Sequence, residues 1–369
     1  MSNTIYLDYN STAPMKGEVK KAVTNAFDIM GNPSSIHSFG RQARSAIEKA
    51  REQVASFVNA RSTNVIFTGS ATEANNTILN GLPKVSKILI SAAEHLSVKN
   101  AHPDAVEVSI TENGLIDLDD LKEKLSGTDH TKPALFSVHA VNSETGVIQP
   151  IREIAKIVHE HGGYLHTDAV QAAGRIEIDY LDWGTDFMTL SAHKMAGPIG
   201  AGAIIAADLT PFEPFIKGGG QEKRRRAGTE NIPAIVGFGV ACDLAKRDLE
   251  TYKKTLLGYQ VLLEDEVRKI NPQAIIVSKT APRVVNTSNI ISPNINAQQQ
   301  IMFLDLEDIC ISSGSACSSG SVTLSHVLKA MGYSDELSAC SIRVSTGWNT
   351  TEDEIHKFLF AYKKMLDSN

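Results

Sequence analysis

Phe187-Met188-Thr189-Leu190-Ser191-Ala192-His193-Lys194-Met195-Ala196-Gly197-Pro198 is the stretch on which the reading of this chain turns. Its first four residues have the apolar character of the end of a buried strand. Ser191, Ala192 and His193 leave that strand, and Gly197-Pro198 forces a turn. Lys194 is caught between them. An ammonium at the mouth of an apolar strand loses solvation, which lowers its pKa and frees its lone pair. Such an amine can attack a carbonyl and hold it as a Schiff base. The plain alternative is a solvated loop lysine.

Working outward, short apolar strands alternate with amphipathic helices. Strands are expected at Val65–Thr68, Lys87–Ile90, Ala134–Val138, Tyr164–His166, Phe187–Leu190 and Ala203–Ile205. A helix over Ser38–Ala60 places Ala43, Ile47, Ala50, Val54 and Phe57 on one face. Another carries Ile151, Ile154, Ala155 and Val158 and closes at Gly162; helical pattern then dominates from Ala234 to about Ile270. This rhythm predicts an α/β fold with a mainly parallel sheet covered on both faces. Ligands gather beyond the carboxyl ends of such strands.

The strand ends are therefore where chemistry is expected. Thr68 to Asn76 opens a helix with glycine and small residues around Ala71 and Thr72, either a phosphate-binding start or an ordinary capped one. His95, after the Lys87–Ile90 strand, is either a ring that stacks on a planar ligand and moves protons or a surface histidine. Asp168 ends a strand whose neighbour ends at Lys194, so two adjacent parallel strands would bring acid and amine to one rim; the alternative is a helix cap. The run Lys217 to Asn231 is glycine-rich and basic. Ile311 to Ser321 is small and uncharged with Cys317 near its middle, which predicts a mobile loop around a used thiol or a plain linker. In Ser341-Ile342-Arg343-Val344-Ser345 the alternation puts Arg343 on a face with two serines, where it grips a carboxylate or simply meets water.

Bulk properties narrow the class. A net charge of -6 argues against nucleic acid or an anionic membrane as the main partner. No basic-then-apolar leader and no apolar run of bilayer length is evident. Cys242, Cys310, Cys317 and Cys340 form no CxxC pair, which reads as reduced thiols in a cytoplasmic protein. His159 and His161 point to different faces of one predicted helix, so no metal site is expected.

A phosphate cradle, a strand-end aspartate and a strand-end lysine form the arrangement of pyridoxal-phosphate enzymes. With Tyr6 to Thr12, Gly31 to His37, Ala71-Thr72-Glu73, Arg226 to Asn231 and above all Ser312-Ser313-Gly314-Ser315-Ala316-Cys317, the chain resembles the cysteine desulfurases of the nitrogen-fixation and iron–sulfur-cluster branch over nearly its whole length.

That resemblance implies the fold-type-I architecture of pyridoxal-phosphate transferases. A large domain would span 13–250, and a smaller α+β domain, 1–12 with 251–369, would carry the mobile cysteine loop. It implies pyridoxal 5'-phosphate held by Lys194, with Asp168 at the ring nitrogen, Gln171 at the ring hydroxyl and His95 stacked on the ring. Ala71, Thr72, Ser191 and His193 would bind the phosphate, and Thr229 would reach the coenzyme of a partner in a homodimer. Arg343 would hold the carboxylate of L-cysteine. Lys194 would move the α-proton and Cys317 would take the sulfur as a persulfide, with His95 assisting, for delivery to an acceptor protein. The family's Asn-Asn-Glu reads Asn142-Ser143-Glu144 here, so Ser143, with Asn142 beside it, stands where an asparagine contacts substrate and coenzyme. A selenocysteine lyase or an aminotransferase on the same fold is the competing expectation.

Overall fold

A computed structural model of the protein describes residues 4–83, 85–127, 132–207, 210–313 and 324–368. Cys317 lies outside the described residues. The chain opens with β1 (Ile5–Tyr6). Seven strands follow and make one sheet: β2 (Val65–Thr68), β3 (Lys87–Ser91), β4 (Val106–Val108), β5 (Ala134–His139), β6 (Tyr164–Asp168), β7 (Phe187–Ser191) and β8 (Gly202–Ala206). The later strands are β9 (Ile275–Ile276), β10 (Thr287–Ile291), β11 (Ile309–Cys310), β12 (Ser312–Ser313) and β13 (Ser341–Ser345).

The large sheet has the order β2-β8-β7-β6-β5-β3-β4. Strands β7, β6, β5, β3 and β4 are parallel, while β8 runs against both β7 and β2. Alternate residues of each strand feed two separate apolar clusters. Val65, Phe67, Leu89, Phe136, Met188, Leu190, Ala203 and Ile205 face one cluster; Ile66, Ile88, Ile90, Leu135, Phe187, Ile204 and Ala206 face the other. Both faces are thus dry, which is why these strands read as continuous apolar runs. Helix Ala71–Gly81 covers the second face with Ala74, Ile78 and Leu79. Helices Ser38–Phe57 and Ile151–Glu160 and the start of Ile232–Ile270 cover the first.

Helix Ser38–Phe57 begins where the His37 ring accepts from the Gly40 amide at 3.3 Å. Its expected face, Ala43, Ile47, Ala50, Val54 and Phe57, is buried. It lies so close to the long helix that a Cβ on Gly239 would sit 2.8 Å from the Ala50 Cα. Only glycine allows that approach.

A four-stranded antiparallel sheet, β12-β13-β10-β9, belongs to the second half of the chain, and β1 pairs in parallel with β11. A separate apolar cluster gathers Ile5, Leu7, Ile290, Ile342, Val344, Phe358 and Tyr362 there. The helix Ile232–Ile270 is 39 residues long and serves both cores: Ile235, Phe238 and Cys242 enter the first, Leu263 and Val267 the second.

Candidate active site

Four strands of the large sheet and the first turn of one helix open onto a cavity of about 270 Å³. Ser70, Ala71, Thr72, His95, His139, Asn142, Ser143, Asp168, Gln171, Ser191, His193 and Lys194 all line it. Residues from five separate stretches of sequence therefore meet at the strand ends.

Lys194 sits in a single 3-10 turn, Ala192–Met195, that leaves β7. Ala196 then adopts a left-handed backbone, with φ of 64°, to reverse the chain. A non-glycine residue held in that region marks a place where surroundings override local preference. The ammonium donates to the carbonyls of Asn10 at 2.6 Å and Ser11 at 2.7 Å. Burial, followed by the nearby Arg175 and Arg343 cations, brings its pKa down to about 7. A substantial fraction of the amine is therefore unprotonated near neutrality, which is the state a nucleophile needs.

Asp168 lies inside the last residue of β6, two residues further along the strand than the apolar pattern alone suggested, and its Cα pairs with that of Thr189 on β7. Its carboxylate accepts from the Asn75 amide at 2.8 Å and the Val170 N–H at 3.0 Å. Each oxygen keeps a lone pair for a further donor. The cap reading of Asp168 is satisfied locally by Val170, yet the residue also faces the cavity. Gln171 donates to the Asn10 carbonyl at 3.0 Å, while its buried Oε1 has no hydrogen-bond partner among the described residues.

The helix Ala71–Gly81 starts with Ser70 accepting from the Glu73 amide at 3.1 Å. Glu73 binds back to the Gly69 amide at 2.8 Å and pairs with Arg226 at 2.9 Å. The amides of Ala71 and Thr72 belong to the first helical turn, which offers them no intrahelical carbonyl, and both residues line the cavity, a place for an anion. A Cβ on Gly202 would lie 2.7 Å from the Ser70 carbonyl carbon and 3.0 Å from the Ala71 nitrogen, so this glycine is what lets β8 run against the helix start. Ser191 and His193 complete this side. Burial and the Lys194 charge take the His193 ring down to about 4, so it is neutral. Its Nδ1 lies 3.1 Å from the Thr12 hydroxyl.

His95 caps the short helix Leu96–Lys99, its Nδ1 accepting from the Ser97 N–H at 3.1 Å, and its ring is exposed in the cavity wall. The histidine is thus at the surface, and that surface is the cavity wall. Asn142 is committed to its own turn, with Oδ1 accepting from the Glu144 and Thr145 amides at 2.9 and 3.0 Å. The Ser143 carbonyl accepts from Asn10 at 3.0 Å and from Arg343 at 3.1 Å.

Arg343 is buried rather than water-facing, and Ser341 and Ser345 beside it are buried too. Its guanidinium is paired with Asp8 at 2.8 Å and bound to the Ser11 hydroxyl at 3.0 Å. It stands behind the residues that line the cavity. Thr229 is exposed and outside that lining.

Several contributors were not singled out from sequence. Asn10 is the chief one: its backbone carbonyl receives Lys194 and Gln171, and its side chain binds Ser143, Thr287, Arg175 and Asn286. Its stretch, Tyr6 to Thr12, carried part of the resemblance, but an asparagine between two turn-forming residues has no periodic signal. Asn75, Arg175, Glu94 and His139 were likewise silent, because their partners come from distant sequence.

Against known proteins, the model of the family "Aminotransferase class-V" matches residues 5–358. Cysteine desulfurase IscS of Dictyoglomus turgidum is 36% identical, covering 100% of this chain and 95% of its own length. The mitochondrial cysteine desulfurase of Arabidopsis thaliana is 36% identical, covering 96% of this chain and 80% of its own length. The X-ray structure of a NifS-like protein from Rickettsia africae superposes with a TM-score of 0.93 at 37% identity, covering 99% and 100% of the two chains. This chain belongs to the class-V aminotransferases, among their cysteine desulfurases.

The family works with pyridoxal 5'-phosphate, and the residues present suit that group. The unpartnered Gln171 Oε1, the depressed Lys194 amine, the lone pairs of Asp168 and the helix start opened by Gly202 offer one contact each to a hydroxyl, an aldehyde, a ring nitrogen and a phosphate. Among the described residues no helix is long and apolar enough to cross a membrane.

Proposed function

We propose that this protein removes sulfur from L-cysteine, leaving L-alanine and a persulfide on Cys317. The observation that carries the reading is the placement of a largely buried amine with a pKa of about 7 on the same cavity wall as Asp168, in a chain of this family. Pyridoxal 5'-phosphate, when bound, supplies an aldehyde for amines and a ring that draws electrons from the substrate's α-carbon.

The chain's own residues supply the rest. Lys194 carries the α-proton at Nζ, which its pKa allows in both directions near neutrality. Asp168 holds a proton at the ring nitrogen, Gln171 meets the ring hydroxyl with Oε1, and His95 covers a ring face. Ala71 and Thr72 amides with Ser191 and neutral His193 bind the phosphate. Arg343 orients the substrate carboxylate, with Ser143 and Asn142 shaping the same corner. A Cys317 thiolate attacks the substrate sulfur: the Cys317 Sγ–S bond forms, the carbon–sulfur bond breaks, and the carbon takes up a proton to leave as alanine. The two thiols and the product persulfide and methyl group balance without an external oxidant.

We read the chain as a homodimer in which Thr229 serves the partner's coenzyme, with a sulfur-acceptor protein receiving the product in the cytoplasm. The division into 13–250 and 1–12 with 251–369 is supported by the second apolar core, which draws only on the latter, while the first core also takes Val277, Val284, Ile291, Val327 and Leu328 from it. A structure in the same group of folds is described as SspA in complex with cysteine, at 30% identity and a TM-score of 0.79. The test is to supply L-cysteine and dithiothreitol and quantify sulfide and alanine. Equal amounts are expected, both lost in Cys317→Ala while the coenzyme colour stays. Alanine formation that survives Cys317→Ala undiminished would overturn the persulfide step.

A further inference from the structure

Two buried polar atoms beside Asp168 face one another and have no other partner. His139 ends β5 with its Cα paired to Asp168 on β6, and its ring lines the cavity. Its Nδ1 is 3.5 Å from Oε1 of Glu94, a carboxyl with 0% exposure; neither atom makes another hydrogen bond among the described residues. The other Glu94 oxygen accepts from the His95 N–H at 3.2 Å.

The far side of the ring decides which nitrogen carries the proton. Gln149 Oε1 accepts from the Ile116 N–H at 2.9 Å and its Nε2 donates to the Gly114 carbonyl at 2.7 Å. Two backbone groups therefore fix the amide's orientation, and the same Nε2 meets His139 Nε2 at 3.5 Å. A donor facing Nε2 requires that nitrogen to accept, so the proton sits on Nδ1 and points at Glu94. Both Glu94 oxygens then face N–H donors and neither faces an acceptor, an arrangement made for a carboxylate. Burial pushes the Glu94 carboxyl up, and so does Asp168; His139 is the principal group opposing them.

We propose that His139 is a positioning residue that keeps Glu94 ionised near Asp168, so that the coenzyme's ring-nitrogen proton lies in the field of two carboxylates rather than one. The proposal rests on the function argued above. A buried charge at Glu94 is costly, and a cation at the ring nitrogen offsets that cost. The charged and titratable groups around Glu94 are His139 on β5, Asp168 on β6, His95 in the next turn and His326, whose Nε2 lies 2.8 Å from the Glu94 carbonyl oxygen. Lys194 in turn faces Asp168, Asp8, Arg175, Arg343 and His193.

The test reads the holoenzyme's visible band against pH, whose midpoint reports the proton on the Lys194 nitrogen. Removing a nearby negative charge lowers that midpoint. His139→Met and Glu94→Gln should each move it down by a similar amount, roughly half a unit to one unit for a charge at this range. The double variant should move it no further. Should His139→Met fail to fold, Gln149→Met, which touches neither carboxylate, should shift the midpoint the same way. An unmoved midpoint in Glu94→Gln overturns the proposal. Nitrogen-15 NMR of the coenzyme-free protein gives an independent reading: neutral His139 should carry its proton on Nδ1, and a proton on Nε2 instead would overturn the proposal. A colourless protein with the expected tautomer would instead count against the coenzyme reading itself.

Discussion

The rim of the large sheet places one cation in the cavity wall and strand β13 of the small sheet holds another behind it, and the protein keeps the two in different states. Lys194 rests on two backbone carbonyls, with burial and two guanidinium groups driving its proton off near pH 7. Arg343 is in direct contact with a carboxylate, Asp8, and is braced by Ser11 and the Ser143 carbonyl. In the proposed reaction the group that reacts is left short of negative partners, and the group that grips is locked in one orientation by them. Asp8 serves both sides, since it pairs with Arg343 and also raises the Lys194 pKa slightly against the larger opposing effects.

The largest effect should come from removing the reactive member. Lys194→Ala is expected to lower alanine formation from L-cysteine by more than about a thousandfold and to abolish the pH-dependent visible band. Turnover near the parent level would mean that another amine does this work. Next, Lys194→Met should make the coenzyme-free protein more stable at neutral pH by a few kcal/mol. The sign follows from linkage. A lysine lowered from 10.5 to about 7 binds fewer protons folded than unfolded across that interval, so wild-type stability rises as pH climbs from about 7 to 10.5. The gap between variant and wild type should therefore close toward pH 10.5 in urea melts; a gap independent of pH would place the Lys194 pKa elsewhere. On the gripping side, Arg343→Lys should raise KM roughly tenfold to a hundredfold with a smaller change in kcat, because an ammonium cannot match the two-pronged contact. A change confined to kcat would remove Arg343 from substrate binding. Ser143→Asn should have the least effect, lowering KM by about twofold to fivefold if the longer amide reaches the substrate. Unchanged kinetics would show that this side chain does not reach it.

The contrast also marks what could be read before any coordinates. The reactive side was legible because it is built on buried parallel strands. Their apolar runs locate β2, β5, β6, β7 and β8 to within a residue or two, and strand ends then locate Asp168 and Lys194. Strand direction was not legible: nothing in Ala203–Ile205 says that β8 runs against its neighbours, since both faces of either orientation are equally apolar. Strand β4 escaped notice because two of its three residues, Val106 and Glu107, are exposed and leave no period. The gripping side was visible only as an alternation around Arg343. Its partners Asp8 and Ser11 lie more than three hundred residues away in sequence, and a pairing over that distance has no local signature. The Glu94–His139 contact was hidden for the same reason, and the resemblance pointed to His95 beside it.

The unbroken helix Ile232–Ile270 bears on how these two cations could ever move relative to each other. At 39 residues it is a rod of about 58 Å. Position 251 falls within that rod, where every backbone turn is braced by its neighbours, so no swivel exists at that point. Rotation of the small sheet would have to bend the rod or slide across it. Both cations also grip one short segment, Lys194 at the Asn10 and Ser11 carbonyls and Arg343 at Asp8 and the Ser11 hydroxyl, so that clasp and the rod act together against a change in their spacing.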